Sequence, residues 1–178
     1  MDAGNNPPPP SPPPTAGAAP AVMVDVGGKP VTARMARAVA RLVASAATIE
    51  RVRRGTLEKG DALAVARVAG IMAAKQTSAI VPLCHPLPLD SVAVDIDFDD
   101  PGAITIAATV RAVARTGVEM EALVAAGAAA LAIYDMAKSL EPGMSIEGMR
   151  LEEKTGGTRG DWTRGEGRRN AVGPSAPR

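Results

Sequence analysis

The only histidine and the only cysteine of this 178-residue chain stand side by side, inside the stretch Val81-Pro82-Leu83-Cys84-His85-Pro86-Leu87-Pro88-Leu89. A thiol beside an imidazole points to a nucleophile, a metal pair or a ligand-binding rim. Proline fixes its own φ near −65° and biases the residue before it towards extended geometry. Pro82, Pro86 and Pro88 therefore predict a stiff, non-helical loop presenting Cys84 and His85. The plainer alternative is a buried thiol and an imidazole capping a backbone carbonyl. No second histidine stands by to serve as base, and adjacent ligands with no further Cys or His argue against a metal site on one chain.

A second group of chemically capable residues lies along one apolar, alanine-rich stretch: Glu121, Asp135 and Lys138. Charges in a buried helix are costly unless paired or used. At 3.6 residues per turn Asp135 falls about 40° round a helix from Glu121, and Lys138 about 60° further, so the three share a stripe. Along the axis Glu121 and Asp135 are about 21 Å apart at 1.5 Å per residue. One small pocket on one subunit cannot use both. Either the ligand is long or each site is assembled from two subunits. The alternative for Asp135 and Lys138 is an i,i+3 ion pair. Glu119 completes a capping box in Thr116-Gly117-Val118-Glu119, and Glu119-Met120-Glu121 sets two carboxylates in a first turn.

Two lysines neighbour glycines, in Lys59-Gly60 and in Lys154-Thr155-Gly156-Gly157. Glycine lets backbone amides approach a phosphate and lysine adds a point charge, so each spot could hold an anion. Ordinary solvated turns are the alternative. The GxxxxGK[ST], GxSxG and HExxH patterns are all missing. Together these residues describe a small anion-binding enzyme that uses His, Lys and Asp for acid–base work.

The elements that must position them follow from periodicity. Val31 to Ala47 is ambiguous between strand and helix, because Met35, Val39, Leu42 and Val43 fit helical spacing only loosely. Asp61 is a good N-cap for a helix over 61–76, with Leu63, Val68 and Ile71 on its apolar side. Ser91 to Phe98 alternates, Val92, Val94, Ile96 and Phe98 to one face, Asp95 and Asp97 to the other. Asp99-Asp100-Pro101-Gly102 is a turn, and Ile104, Ile106, Ala108 and Val110 alternate again, which predicts a hairpin. A long helix, apolar almost all round and hence buried, runs to about Leu140, where Pro142-Gly143 ends it. Its Ala125 to Ala130 segment would let another helix approach closely. Met144 to Leu151 reads as a last strand. The mixture predicts an α+β fold with helices packed on one face of an antiparallel sheet.

Composition sets the limits. The length fits one domain, and a net charge of +1 gives no field that favours nucleic acid or an anionic membrane. Phe98, Tyr134 and Trp162 are the only aromatic residues, too few for a single-strand or RNA platform. One cysteine excludes an internal disulfide. No secretory signal is legible, and the apolar run Ala122 to Tyr134 is short of the roughly 20 residues of a membrane span. The expectation is a soluble, cytoplasmic protein. Residues 1–21 hold half of the sixteen prolines and read as a disordered or polyproline tail, with Met23 as an alternative start. Residues 163–178 read as a second tail, leaving a domain at 22–162.

KGDALAVARVAGIMAAKQTSAIVPLCHPLPL, TGVEMEAL, AIYDMAKSL and the LEEKTGG close together resemble cyclic pyranopterin monophosphate synthase, the C protein of molybdenum cofactor biosynthesis, across about 22–162. The resemblance implies a ferredoxin-like fold and a homohexamer, a trimer of dimers with active sites at subunit interfaces. It implies a small-molecule substrate, a cyclised dihydro-GTP, rearranged to cyclic pyranopterin monophosphate with expulsion of pyrophosphate and no metal or redox cofactor. Carried across, Leu83, Cys84 and His85 match substrate-binding positions, as do Met120 and Glu121 in the VEMEAL motif, with Glu119 beside them. Asp135 matches the catalytic aspartate and Lys138 the lysine after it. Lys59 and Lys154 match lysines that serve the substrate. A lysine with its pKa lowered by burial would act as acid or base. Where the family commonly reads GGKSG, this chain has Gly156-Gly157-Thr158-Arg159-Gly160, one place out in charge. Rival classes are a catalytically dead nucleotide-binding homologue and a metal protein using Cys84 and His85.

Overall fold

Alternating alanines build the centre of the sheet. Strand β1, Thr32–Val43, turns Ala36, Ala38, Ala40 and Leu42 inward, all with no exposed surface, and Arg37 and Arg41 outward. It pairs without a break against β3, Ala103–Ala114, from Thr32 opposite Ala114 to Val43 opposite Ala103. That settles the ambiguity of Val31 to Ala47 in favour of strand up to Val43. Alanine favours helix, and Arg34, Arg37 and Arg41 carry helical spacing, but cross-strand pairing against Ile104, Ile106, Ala108 and Val110 outweighs propensity. A short helix α1, Ala46–Arg53, follows, with the Ser45 hydroxyl accepting from the Thr48 amide.

The structure, a computed structural model, describes residues 20–165, so most of both expected tails lies outside the described residues. Helix α2, Ala62–Lys75, starts as expected: Asp61 Oδ1 accepts from the amides of Leu63 and Ala64. Its packing face differs from expectation. Ala62, Ala66, Gly70 and Ala74 are buried, whereas Val68 is 60% exposed, with Val65 and Met72 beside it. Small residues win the inner face because α2 must lie close to another helix. A one-turn helix α3, Thr77–Ile80, precedes the proline-pinned loop, which is irregular as predicted.

Strand β2, Ser91–Asp100, forms the expected hairpin with β3. Helix α4 spans Glu119–Ala137, ending three residues before Leu140. The capping box is not formed: Val118 is the N-cap without a side-chain bond, and the Glu119 carboxylate turns to Lys154. Strand β4, Ser145–Thr155, extends the expected last strand, and a short β5, Trp162–Thr163, was not foreseen.

The sheet order is β2-β3-β1-β4-β5, every neighbour antiparallel. Its first four strands with the helices between them give the β-α-β-β-α-β plan of ferredoxin-like folds. Helices α2 and α4 pack on each other and on the sheet. A Cβ on Gly70 would come within 2.9 Å of the Ala125 carbonyl oxygen and of Val94 Cγ2, so the close approach expected at Ala125 to Ala130 is real. By length and composition α4 could cross a membrane, but half of its most apolar window is buried within the protein. It is not buried all round, however. Leu131, Asp135 and Lys138 are exposed, and only Glu121 of its charged residues is sealed in.

Candidate active site

The loop and the start of α4 converge on a cavity of about 530 Å³ lined by Leu83, Cys84, His85, Glu119, Met120 and Lys154. Six of the ten residues singled out from sequence thus meet in one place. His85 also borders a smaller cavity of about 250 Å³ beside Pro86 to Pro88. The structure adds four cations to the larger wall that sequence reasoning missed or left in doubt: Lys29, Arg34, Arg115 and Arg159. Arg159 arrives despite its one-place displacement. Arg34 was hidden in the ambiguous β1 segment, where only the strand pairing brings it to the cavity.

Arg34 is held by the end of strand β3. Its guanidinium donates to the carbonyls of Ala114 and Arg115 at 3.3 and 3.4 Å. Gly156 and Gly157 have φ of 86° and 92°, a region that favours glycine. A Cβ on Gly156 would collide with the Ala33 carbonyl oxygen, and one on Gly157 with the Arg34 guanidinium. These glycines therefore make room for Arg34. The amides expected to approach an anion are engaged at two positions: that of Gly156 by Asp161 Oδ1 at 2.8 Å, and that of Gly60 by Leu57 O at 3.0 Å.

Lys154 Nζ donates to Glu119 Oε1 at 2.9 Å, so the cavity's carboxylate is already neutralised. Behind the wall, Glu121 is 2% exposed. Cys84 Sγ lies 3.6 Å from Glu121 Oε1, while Glu121 Oε2 has no hydrogen-bond partner among the described residues. Burial pushes the Cys84 thiol up to about 11, with the Glu121 charge adding to it. Burial likewise raises the Glu121 carboxyl above its ordinary range. A thiol so shifted is no thiolate nucleophile at neutral pH.

The residues expected to do acid–base work sit elsewhere, at the far end of α4. Asp135 Oδ2 accepts from Lys59 Nζ at 2.7 Å and Oδ1 from Lys138 Nζ at 2.5 Å. Lys59 also donates to the Asp135 carbonyl at 3.0 Å, satisfying an orphan oxygen of the last turn. Hydrogen bonds from Lys138 first, and then from Lys59, hold the Asp135 carboxyl down at about 2. Lys138 is raised by Asp135, not lowered by burial as expected, because it stands half in water. The i,i+3 ion pair is thus present, but as part of a triad with Lys59. Asp135 and Lys59 do not line the cavity, in keeping with the helix-length argument that separates Glu121 from Asp135 by about 21 Å. Among the described residues no cluster of three or more His, Cys, Asp or Glu could hold a metal ion.

With the cationic cavity at the start of α4 and the Lys59–Asp135–Lys138 triad at its end described, the chain can be compared with known proteins. Residues 23–157 match the MoaC family. The chain belongs to that family. It is 53% identical over 142 residues to the cyclic pyranopterin monophosphate synthase of Streptomyces coelicolor, covering 80% of this chain and 83% of the relative. The proteins of the same name from Nostoc sp. and Herpetosiphon aurantiacus are 56% and 55% identical over 144 and 141 residues. Those alignments cover 80% and 79% of this chain, and 85% and 86% of the relatives. Membership in the MoaC family makes this chain an enzyme, with the ferredoxin-like α+β fold already described as its scaffold.

Proposed function

We propose that the chain converts a cyclised dihydro-GTP into cyclic pyranopterin monophosphate with release of pyrophosphate, in molybdenum cofactor biosynthesis. The observation that carries this reading is the charge of the larger cavity. Lys29, Arg34, Arg115, Lys154 and Arg159 line it against one carboxylate, Glu119, which Lys154 already pairs. A wall with that surplus suits a polyphosphate and would stabilise charge on departing pyrophosphate. Leu83, Cys84 and His85 on the rigid loop, with Met120 at the start of α4, would hold the remainder of the molecule, and Glu121 backs the wall behind Cys84.

The proton chemistry belongs to the triad. Asp135, held near 2, is ionised at working pH, so it fixes two ammonium groups and the protons to be given come from Lys59 and Lys138. Because the triad and the cavity lie at opposite ends of α4, a complete site takes the cavity of one subunit and the triad of another. A homohexamer of paired subunits would meet that requirement. The deciding experiment is incubation of the purified oligomer with the cyclised dihydro-GTP. Stoichiometric pyrophosphate and cyclic pyranopterin monophosphate are expected; tight binding without pyrophosphate release would make the chain a binding module instead.

A further inference from the structure

Lys59 and Lys138 stand half in water, so burial does not fix their side chains, and where they meet Asp135 depends on where the backbone starts them. Their two ammonium groups also repel each other across a single carboxylate. They come from distant segments: Lys138 caps the end of α4, whereas Lys59 lies in the turn that follows α1.

A further carboxylate ties these two segments together from outside the triad. Glu141, in the turn after Lys138, accepts from the Ser45 amide at 3.0 Å on each oxygen and from the Ser45 hydroxyl at 2.7 Å. Ser45 is the N-cap of α1, 96 positions away along the chain. Bonds from the Ser45 hydroxyl first, then from Thr48 and the Ser45 amide, hold the Glu141 carboxyl below its ordinary range. Pro142 biases Glu141 towards extended backbone. Tyr134 Oη donates to the Pro142 carbonyl at 2.8 Å, which closes the same turn onto α4. Capping does not by itself call for Glu141, since the Ser45 hydroxyl already accepts from the Thr48 amide at the head of α1. What Glu141 adds is a link between the two segments that carry the triad's lysines.

We propose that Glu141 is a positioning residue for the Lys59–Asp135–Lys138 triad: by clamping the head of α1 to the turn after α4, it holds both lysines where their ammonium groups reach one carboxylate. The effect on turnover rests on the reading of the triad as the proton-transfer machinery; the positioning itself does not.

Acetic anhydride reacts only with free amine. The relative acetylation rates of the five lysines, read by mass spectrometry on the unliganded oligomer, therefore report how firmly each ammonium is held. In Glu141→Ala, Lys59 and Lys138 are expected to react about three- to tenfold faster, the gain in free amine for about half to one unit of pKa. Lys75, at the end of α2, should be unaltered. Unchanged rates at Lys59 and Lys138, or an equal rise at Lys75, would overturn the proposal. In turnover, Glu141→Ala should lower kcat about 10- to 10²-fold with KM nearly constant. Added to Asp135→Asn it should cost little more, because a residue that acts through the triad has nothing left to position. Losses that multiply in the double variant would overturn the positioning role and leave Glu141 a matter of stability alone. Acetylation is read without substrate, so faster labelling with kcat unaltered would sink the proton-transfer reading of the triad and leave the positioning in place.

Discussion

Asp135 carries an ammonium on each carboxylate oxygen, so it is the centre of a triad and not a simple i,i+3 pair. Its carboxyl lies below the value of the unfolded chain, so the stability it adds is complete above that value and lost only as pH falls through about 2. Across neutral pH its charge is constant, and any pH limb of activity there belongs to other groups. Replacing Asp135 by Asn should cut kcat by about 10²–10⁴, the usual span for acid–base machinery, with circular dichroism unchanged. Activity kept within a few-fold would reduce Asp135 to a structural partner. Cys84 offers a second check. With its thiol raised to about 11, alkylation by iodoacetamide should be slow at pH 8 and climb steeply only well above pH 9. A rate that levels off near pH 9 would mean that burial and the neighbouring Glu121 charge do not hold the thiol up in solution. That residue types alone singled out Cys84, His85, Glu121, Asp135 and Lys138 follows from scarcity and cost, whereas Lys59 and Lys154 drew notice only from their glycine neighbours. A sole histidine and charges set in an apolar helix are conspicuous in any reading.

At the scale of elements, the pairs that decide the fold are small side chains at crossings. Gly70 of α2 lies where a Cβ would meet the Ala125 carbonyl and Val94 at 2.9 Å, neither of which can swing away as a long side chain would. Gly70→Ala should therefore destabilise the chain by about 1–3 kcal/mol, read as a lowered urea midpoint at constant slope. An unchanged midpoint would show that α2 can drift from α4 without loss. Local pattern predicted α2, the hairpin of β2 and β3, and α4, because each carries its own periodicity and stop signal. It left β1 undecided, since alanine and arginine at mixed spacing fit either period and only the long register with β3 chooses. It also assigned Glu119 to a capping box, which Lys154 of β4 overrides by pairing with it at 2.9 Å. A competing ion pair from 35 residues away has no local signature.

For the whole molecule, the central observation is that the cationic cavity lies at the start of α4 and the Lys59–Asp135–Lys138 triad at its end. If each complete site joins the cavity of one subunit to the triad of another, inactive His85→Ala and Asp135→Asn proteins should regain part of the wild-type turnover when their subunits are mixed. Some of the mixed sites then contain both intact halves. No recovery on mixing, with subunit exchange verified by mass, would require each chain to work alone. The sequence by itself determined the chemistry available: a proline-stiffened Cys84-His85 loop, carboxylates in a first turn, an Asp135–Lys138 pair, and an axial spacing too long for one small pocket. Those are properties of residue type and helical rise, which are local. Only the tertiary structure decided that Lys59 completes the triad, that Arg34 and Arg115 join Lys154 in one cationic wall, and that Glu121 is sealed against Cys84. Each of these depends on the register of β1 between β3 and β4, or on α4 crossing α2. Such long-range pairings are set by the packing of the whole core, and no window of sequence contains them.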